Sequence, residues 1–143
     1  MNWSYPYIQN LRKQGFLAKS VGGKKSYGCN DKATYATFSN IAGLIYFNSN
    51  LNIDVLGAEL LSGPIDKSKL VKICNKVAHT NLGTFEELYT SGLLDYTTYT
   101  YIKSAKEIYN SHAYAFMSCI VDYLRKETPR VKLEDIIRCD TDK

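Results

Sequence analysis

The stretch "VGGKKS" at 21–26 has the residue types that bind phosphate. Glycines expose backbone N–H groups to an anion and lysines add positive charge. A nucleotide-binding loop needs Gly, four residues, then Gly-Lys-Ser/Thr. Here Ala18 stands five residues before Gly23, and Lys24 is followed by Lys25, so that pattern fails. What remains is a glycine turn carrying lysines, able to touch a polyanion without reading it.

The metal-ligating residue types fall in two helical segments. Cys74 and His79 are five apart, and His112 and Cys119 are seven apart. Neither spacing is that of a zinc finger or ribbon, and the i,i+4 step that stacks ligands one turn apart is absent. Cys74 falls on the apolar side of its helix and His79 on the lysine side. Neither a metal nor a cofactor is expected. Nucleophilic chemistry is equally thin: there is no GxSxG, and His112 sits next to Ser111 on a helix, where adjacent residues diverge. His79-Thr80 is a lone His-Thr pair. The expectation is a protein without catalysis.

The bulk numbers fit that expectation. A chain of 143 residues, 45% apolar and 22% charged, is one globular domain with room for a core. Tyrosine stands out, with 12 against 5 Phe and 1 Trp. It combines a large apolar ring with a polar tip and suits half-buried positions and interfaces. The net charge of +4 is uneven. Residues 1–32 carry Arg12, Lys13, Lys19, Lys24, Lys25 and Lys32 against Asp31, which is +5; the remainder sums to −1. Cysteines at 29, 74, 119 and 139 show no CxxC and no dense spacing, and the opening "MNWSYPYIQN" lacks an apolar leader core. Scattered thiols predict a reducing, cytoplasmic setting. No stretch approaches the roughly 18 apolar residues that span a bilayer, so no membrane partner is expected.

These residues must be positioned by helices. "WSYPYIQNLRKQGF" predicts a short helix capped by Ser4, with Pro6 in its first turn, Trp3 and Ile8 as a hydrophobic staple, and a Gly15-Phe16 stop. "FLAKSVGGKKSYGC" predicts a β-hairpin turning at Gly22-Gly23, with a basic loop as the variant. Tyr35, Phe38, Ile41, Ala42, Ile45 and Tyr46 recur at three- and four-residue steps, which predicts a core helix. "IDVLGAELL" predicts another, capped by Asn52 or Asp54. Asp66 caps a helix that buries Leu70, Ile73, Cys74 and Val77 and shows Lys69, Lys72, Lys76 and His79 on the far side. Thr84 starts a short helix with two acids in its first turn. Ile102, Tyr109, Phe116 and Tyr123 repeat every seven residues, predicting one long helix from Tyr96 to Lys126. It kinks, if anywhere, at 110–112, and Pro129 stops it. The fold class is all-α, or α with a small N-terminal β-hairpin: a compact bundle of five to seven helices ending in one long one. Residues 1–32 form a basic arm, 33–127 the helical core, and 128–143 a short helix and frayed tail.

Two stretches, "SGPIDKSKLVKI" at 62–73 and "SGLLDYTTYTYI" at 91–102, share a pattern. Each puts Gly where a helix needs a left-handed stop and Asp where the next needs a cap. They predict two helix-to-helix turns, with helices ending near Leu61 and Thr90 and starting near Lys67 and Tyr96.

The surfaces then suggest the work. Tyrosines fall on several sides of the long helix, and Tyr101 and Tyr114 lie off its heptad line. The expected partner is a protein or larger complex, met through Tyr96, Tyr101, Tyr114 and the arm lysines Lys19, Lys24 and Lys25. Such a chain suits an inhibitor or accessory subunit of a larger machine, of the kind mobile elements and parasites encode. The alternative is a nucleic-acid-binding or ribonucleoprotein component using Lys69, Lys72, Lys76 and Lys103. The outline of a helix-turn-helix is present. It occurs twice: "AELLSGPIDKSKLVKICNKV" at 58–77 offers lysines for phosphates but no Arg, and "FEELYTSGLLDYTTYTYIKSAKEIY" at 85–109 opens its second helix "DYTTYTYI" without the Arg, Asn, Gln or Lys that read base edges until Lys103.

Overall fold

The structure, a computed structural model, describes residues 2–17, 27–57 and 64–127. These residues form six helices: α1 Tyr5–Lys13, α2 Tyr35–Asn48, α3 Lys67–Ala78, α4 Phe85–Thr90, α5 Tyr96–Ser104 and α6 Asn110–Glu127. No strand occurs among the described residues; β-type pairing is limited to an isolated antiparallel bridge between Lys32 and Tyr109. The fold is all-α. The proposed turn at Gly22-Gly23, with Lys19, Lys24 and Lys25, lies outside the described residues, as does the short helix expected after 128.

Local signals account for most helix ends. Asp66 Oδ1 accepts the Lys69 N–H at 2.8 Å, Thr84 Oγ1 the Glu87 N–H at 3.3 Å, and Asp95 Oδ1 the Thr98 N–H at 2.8 Å. Each satisfies a donor that the helix leaves unpaired. At the end of α1, Gly15 takes φ +80°; its N–H donates to Arg12 O and the Phe16 N–H to Leu11 O. This is a Schellman stop, with Phe16 buried behind it. Gly92, φ +88°, ends α4 in the same left-handed conformation. Ser4 precedes α1 as expected, but its hydroxyl donates to Asn2 Oδ1 rather than accepting from the helix.

The long helix expected from Tyr96 to Lys126 is two helices. The chain leaves helical geometry at Ala105, whose backbone is extended, and re-enters at Asn110. The cause is tertiary. Ala33 N–H donates to Ile108 O, Asn110 N–H to Asp31 O and Ser111 N–H to Cys29 O. Those groups are committed to the segment before α2, and an unbroken helix would need them for itself. The break therefore falls just before 110–112, and α6 has its own start there. Its third residue, His112, accepts the Tyr109 N–H on Nδ1 at 2.9 Å, which is one half of a capping box.

A second correction concerns 53–57, expected to begin a helix. These residues are not helical. Asp54 donates its N–H to Val77 O at the C-terminal end of α3, while the Tyr35 hydroxyl donates to the Leu56 and Gly57 carbonyls. Ile53 and Leu56 are buried along this non-helical path. The "SGPID" stretch therefore does not follow a helix that begins at 53; Leu61 itself lies outside the described residues.

The core forms around α6, which packs on α1, α2, α3 and α5. Every residue from Ser111 to Val121 is buried. Phe116 meets Phe38 edge-to-face at 5.9 Å between ring centroids. Each such side chain removed from water contributes about 1.5–3 kcal/mol.

Candidate functional site

The residues that could carry chemistry do not converge. Among the described residues, no three His, Cys, Asp or Glu side chains gather as a metal site would require. His79 leaves α3 altogether: it adopts φ +57° and ends the helix, so it does not continue the lysine line. Cys74 is buried against Thr80, its Sγ 3.6 Å from Thr80 Oγ1, and burial pushes its thiol up to about 11. Cys119 lies 3.4 Å from Thr98 Oγ1, and burial raises it to about 12. Both are held as thiols at neutral pH, unlike reactive cysteines, whose pKa is depressed. His112 spends Nδ1 on the backbone of Tyr109, and burial followed by the nearby Lys67 charge lowers its pKa.

The lysines are dispersed as well. Lys76 pairs with Asp54 at 3.2 Å, which holds that carboxyl below its usual range. Lys103 lies over the ring of Tyr99, Nζ 5.4 Å from the centroid. Lys72 is exposed and Lys69 half-buried. The line expected from Lys69 to Lys76 therefore has a carboxylate beside its last member.

The tyrosines chosen from the sequence part company. Tyr114, expected on the surface, is buried, and its hydroxyl donates to Tyr27 O. Burial pushes it up to about 12. The reason is that α6 is packed on all sides, so leaving the heptad line does not put a residue in water. Tyr46, expected on the buried stripe of α2, is instead exposed, and Phe47 beside it more so. Tyr96 is 66% exposed and Tyr101 44%. These two do sit on the surface, but on different sides of α5. Tyr101 stacks flat on Trp3, with centroids 4.3 Å apart and planes 3° from parallel. Trp3 also lies near Tyr7 and His112. The ring that the staple expectation paired with Ile8 thus forms a clasp between the N-terminus, α5 and α6.

Tyr96 belongs to a second ring group that sequence reasoning missed. Tyr89 stands 6.1 Å from Tyr96 and is stacked on Tyr99 at 4.6 Å, and Tyr99 stacks on Phe85 at 5.4 Å. Phe85 and Tyr89 are four apart on α4; Tyr96 and Tyr99 are three apart on α5. These are same-face steps, and the tight turn at Gly92 folds one face onto the other. That pairing of intervals across a stop signal is the sequence clue. Phe85 is buried and anchors the group, whereas Tyr89 and Tyr96 open to solvent. The result is an aromatic face whose outer rings, Tyr89 and Tyr96, lie outside the buried core.

No helix among the described residues is long and apolar enough to cross a membrane. Comparison with family models, with curated proteins and with solved structures finds no match to this chain.

Proposed function

We propose that this protein acts by docking on a protein partner, as an inhibitor or accessory subunit of a larger complex, with no chemistry of its own. The surface is the outer side of α4 and α5, with Tyr96 at its centre and Tyr89 beside it; Tyr101, on another side of α5, is stacked on Trp3 and is not part of it. One observation carries the reading: Tyr89 and Tyr96 are exposed yet already held in ring contacts. Large rings fixed before binding add contact area at small entropic cost, which is why tyrosine is favoured at interfaces. The free thiols of Cys29, Cys74 and Cys119 support a reducing, cytoplasmic setting.

Co-purification from the native source tests this. Wild type and a Tyr89→Ser/Tyr96→Ser variant are compared, before and after nuclease treatment. The expected result is a nuclease-resistant protein partner recovered with wild type and lost with the variant. Recovery of the same partner by both removes this surface from the function. A partner lost with nuclease, and weakening linearly with salt on logarithmic axes, replaces the reading with nucleic-acid binding through the lysines.

A further inference from the structure

The aromatic face lies in an acidic setting within a basic protein. From Glu86 to Lys103 the segment that builds this face carries Glu86, Glu87 and Asp95 against Lys103, a formal charge of −2 against +4 for the whole chain. The three carboxylates differ in use. Asp95 is engaged by Thr98 N–H and the Tyr7 hydroxyl. Glu87 accepts the Thr84 hydroxyl. Glu86 is exposed, makes no ion pair among the described residues, and stands three residues before Tyr89 on the same helix. Side chains at that step are neighbours.

The rings already hold one cation: Lys103 Nζ sits over Tyr99. A tyrosine face attracts an ammonium or guanidinium through its ring quadrupole. Tyr89 and Tyr96 offer further ring surface to solvent, with Glu86 one helical turn before Tyr89. A planar guanidinium suits this arrangement better than an ammonium does, because it can stack on a ring and pair with a carboxylate at once. A phosphate backbone meets the opposite condition: a net negative segment whose Lys103 already lies over Tyr99.

From this we infer that the α4–α5 face receives an arginine-bearing segment of the partner. The inference rests on the docking reading and specifies the chemistry of what docks. Its test uses the full-length protein, isotopically labelled, titrated with a Gly-Arg repeat peptide and followed by NMR. The same peptide with citrulline for arginine, and a single-stranded thymidine oligonucleotide, are run in parallel. Citrulline keeps the shape and removes the charge. The expected result is saturable shifts centred on Glu86, Tyr89 and Tyr96, with the arginine peptide bound about tenfold more tightly than its citrulline counterpart. Tyr96→Phe retains binding because the ring remains; Tyr96→Leu and Glu86→Gln each weaken it about two- to fivefold. Glu86→Gln leaves every ring in place, so its effect is independent of any change in packing at Tyr96. Equal binding of both peptides at this face overturns the cation preference and leaves docking intact. Shifts scattered over other acidic residues, tighter binding of the oligonucleotide here, or no shifts with any probe each overturn the inference. Docking itself then stands or falls on the co-purification.

Discussion

The Tyr7 hydroxyl donates a 2.6 Å hydrogen bond to Asp95 Oδ2, joining α1 to the first turn of α5 across 88 residues of sequence. The other oxygen of Asp95 caps α5. Burial acting alone would raise the Asp95 carboxyl, but the Tyr7 hydroxyl and Thr98 outweigh it and hold the group below its ordinary value. Burial and the same bond push Tyr7 up to about 12. A depressed carboxyl stabilises the fold above its unfolded pKa of about 3.9, and that contribution is lost as pH falls through the folded value. Asp95→Ala is expected to lower stability at pH 7 by about 1 kcal/mol, at the modest end because the residue is exposed. Urea melts at pH 7 and pH 3 check this: the difference between variant and wild type shrinks at the lower pH.

His112 gives a second pH signature with a different window. Its Nδ1 accepts a backbone N–H and must be unprotonated to do so. Its neighbours are the Trp3 and Tyr109 rings, with Lys67 as the facing charge. The folded pKa is lowered by burial and then by Lys67. The unfolded chain therefore takes up a proton first, and stability falls as pH drops below about 6.5. Thermal melts at pH 7.5 and 5.5 measure the loss. His112→Gln keeps an acceptor for Tyr109 N–H and is expected to abolish the slope over this window while α6 keeps its start.

Tyr114 separates a buried hydrogen bond from a contact surface. Tyr114→Phe keeps the ring and leaves Tyr27 O without its donor. The expected cost is about 1–1.5 kcal/mol in a denaturant melt. Partner capture by the folded variant is expected to be unchanged. A change in capture without a change in stability would return Tyr114 to the interface.

Tyr96 and Phe116 should behave as opposites. Tyr96→Ser is expected to cost less than about 1 kcal/mol, since the ring lies mostly in water and loses chiefly its edge contact with Tyr89. Phe116→Ala removes a ring packed against Phe38 at the centre of the bundle and should cost about 3–5 kcal/mol. Chemical denaturation of both variants decides it.

Local chemistry made much of this architecture readable from the chain. Asp66, Thr84 and Asp95 start helices because a short acceptor next to a free N–H is a contact between near neighbours. Gly15 and Gly92 stop them because each must take a positive φ that other residues resist. Those signals set the order of the helices, their boundaries at 67, 85 and 96, and the buried stripe of α3.

What only the tertiary structure decided depends on groups far apart in sequence. The 29–33 segment takes the backbone partners that would have carried a helix through 105–109. Residues 53–57 are tied instead by the Asp54 N–H on Val77 O and by the Tyr35 hydroxyl on the Leu56 and Gly57 carbonyls. Seven-residue periodicity runs straight across the first of these breaks, since the same side chains can face the core from one helix or from two. Exposure follows the same rule. Tyr114 is buried and Tyr96 is not, because α6 packs on α1, α2, α3 and α5, whereas Tyr96 opens α5 on a side that the described residues leave in water. Residue type reports what a tyrosine can do; which tyrosine meets solvent is set by the helices placed around it.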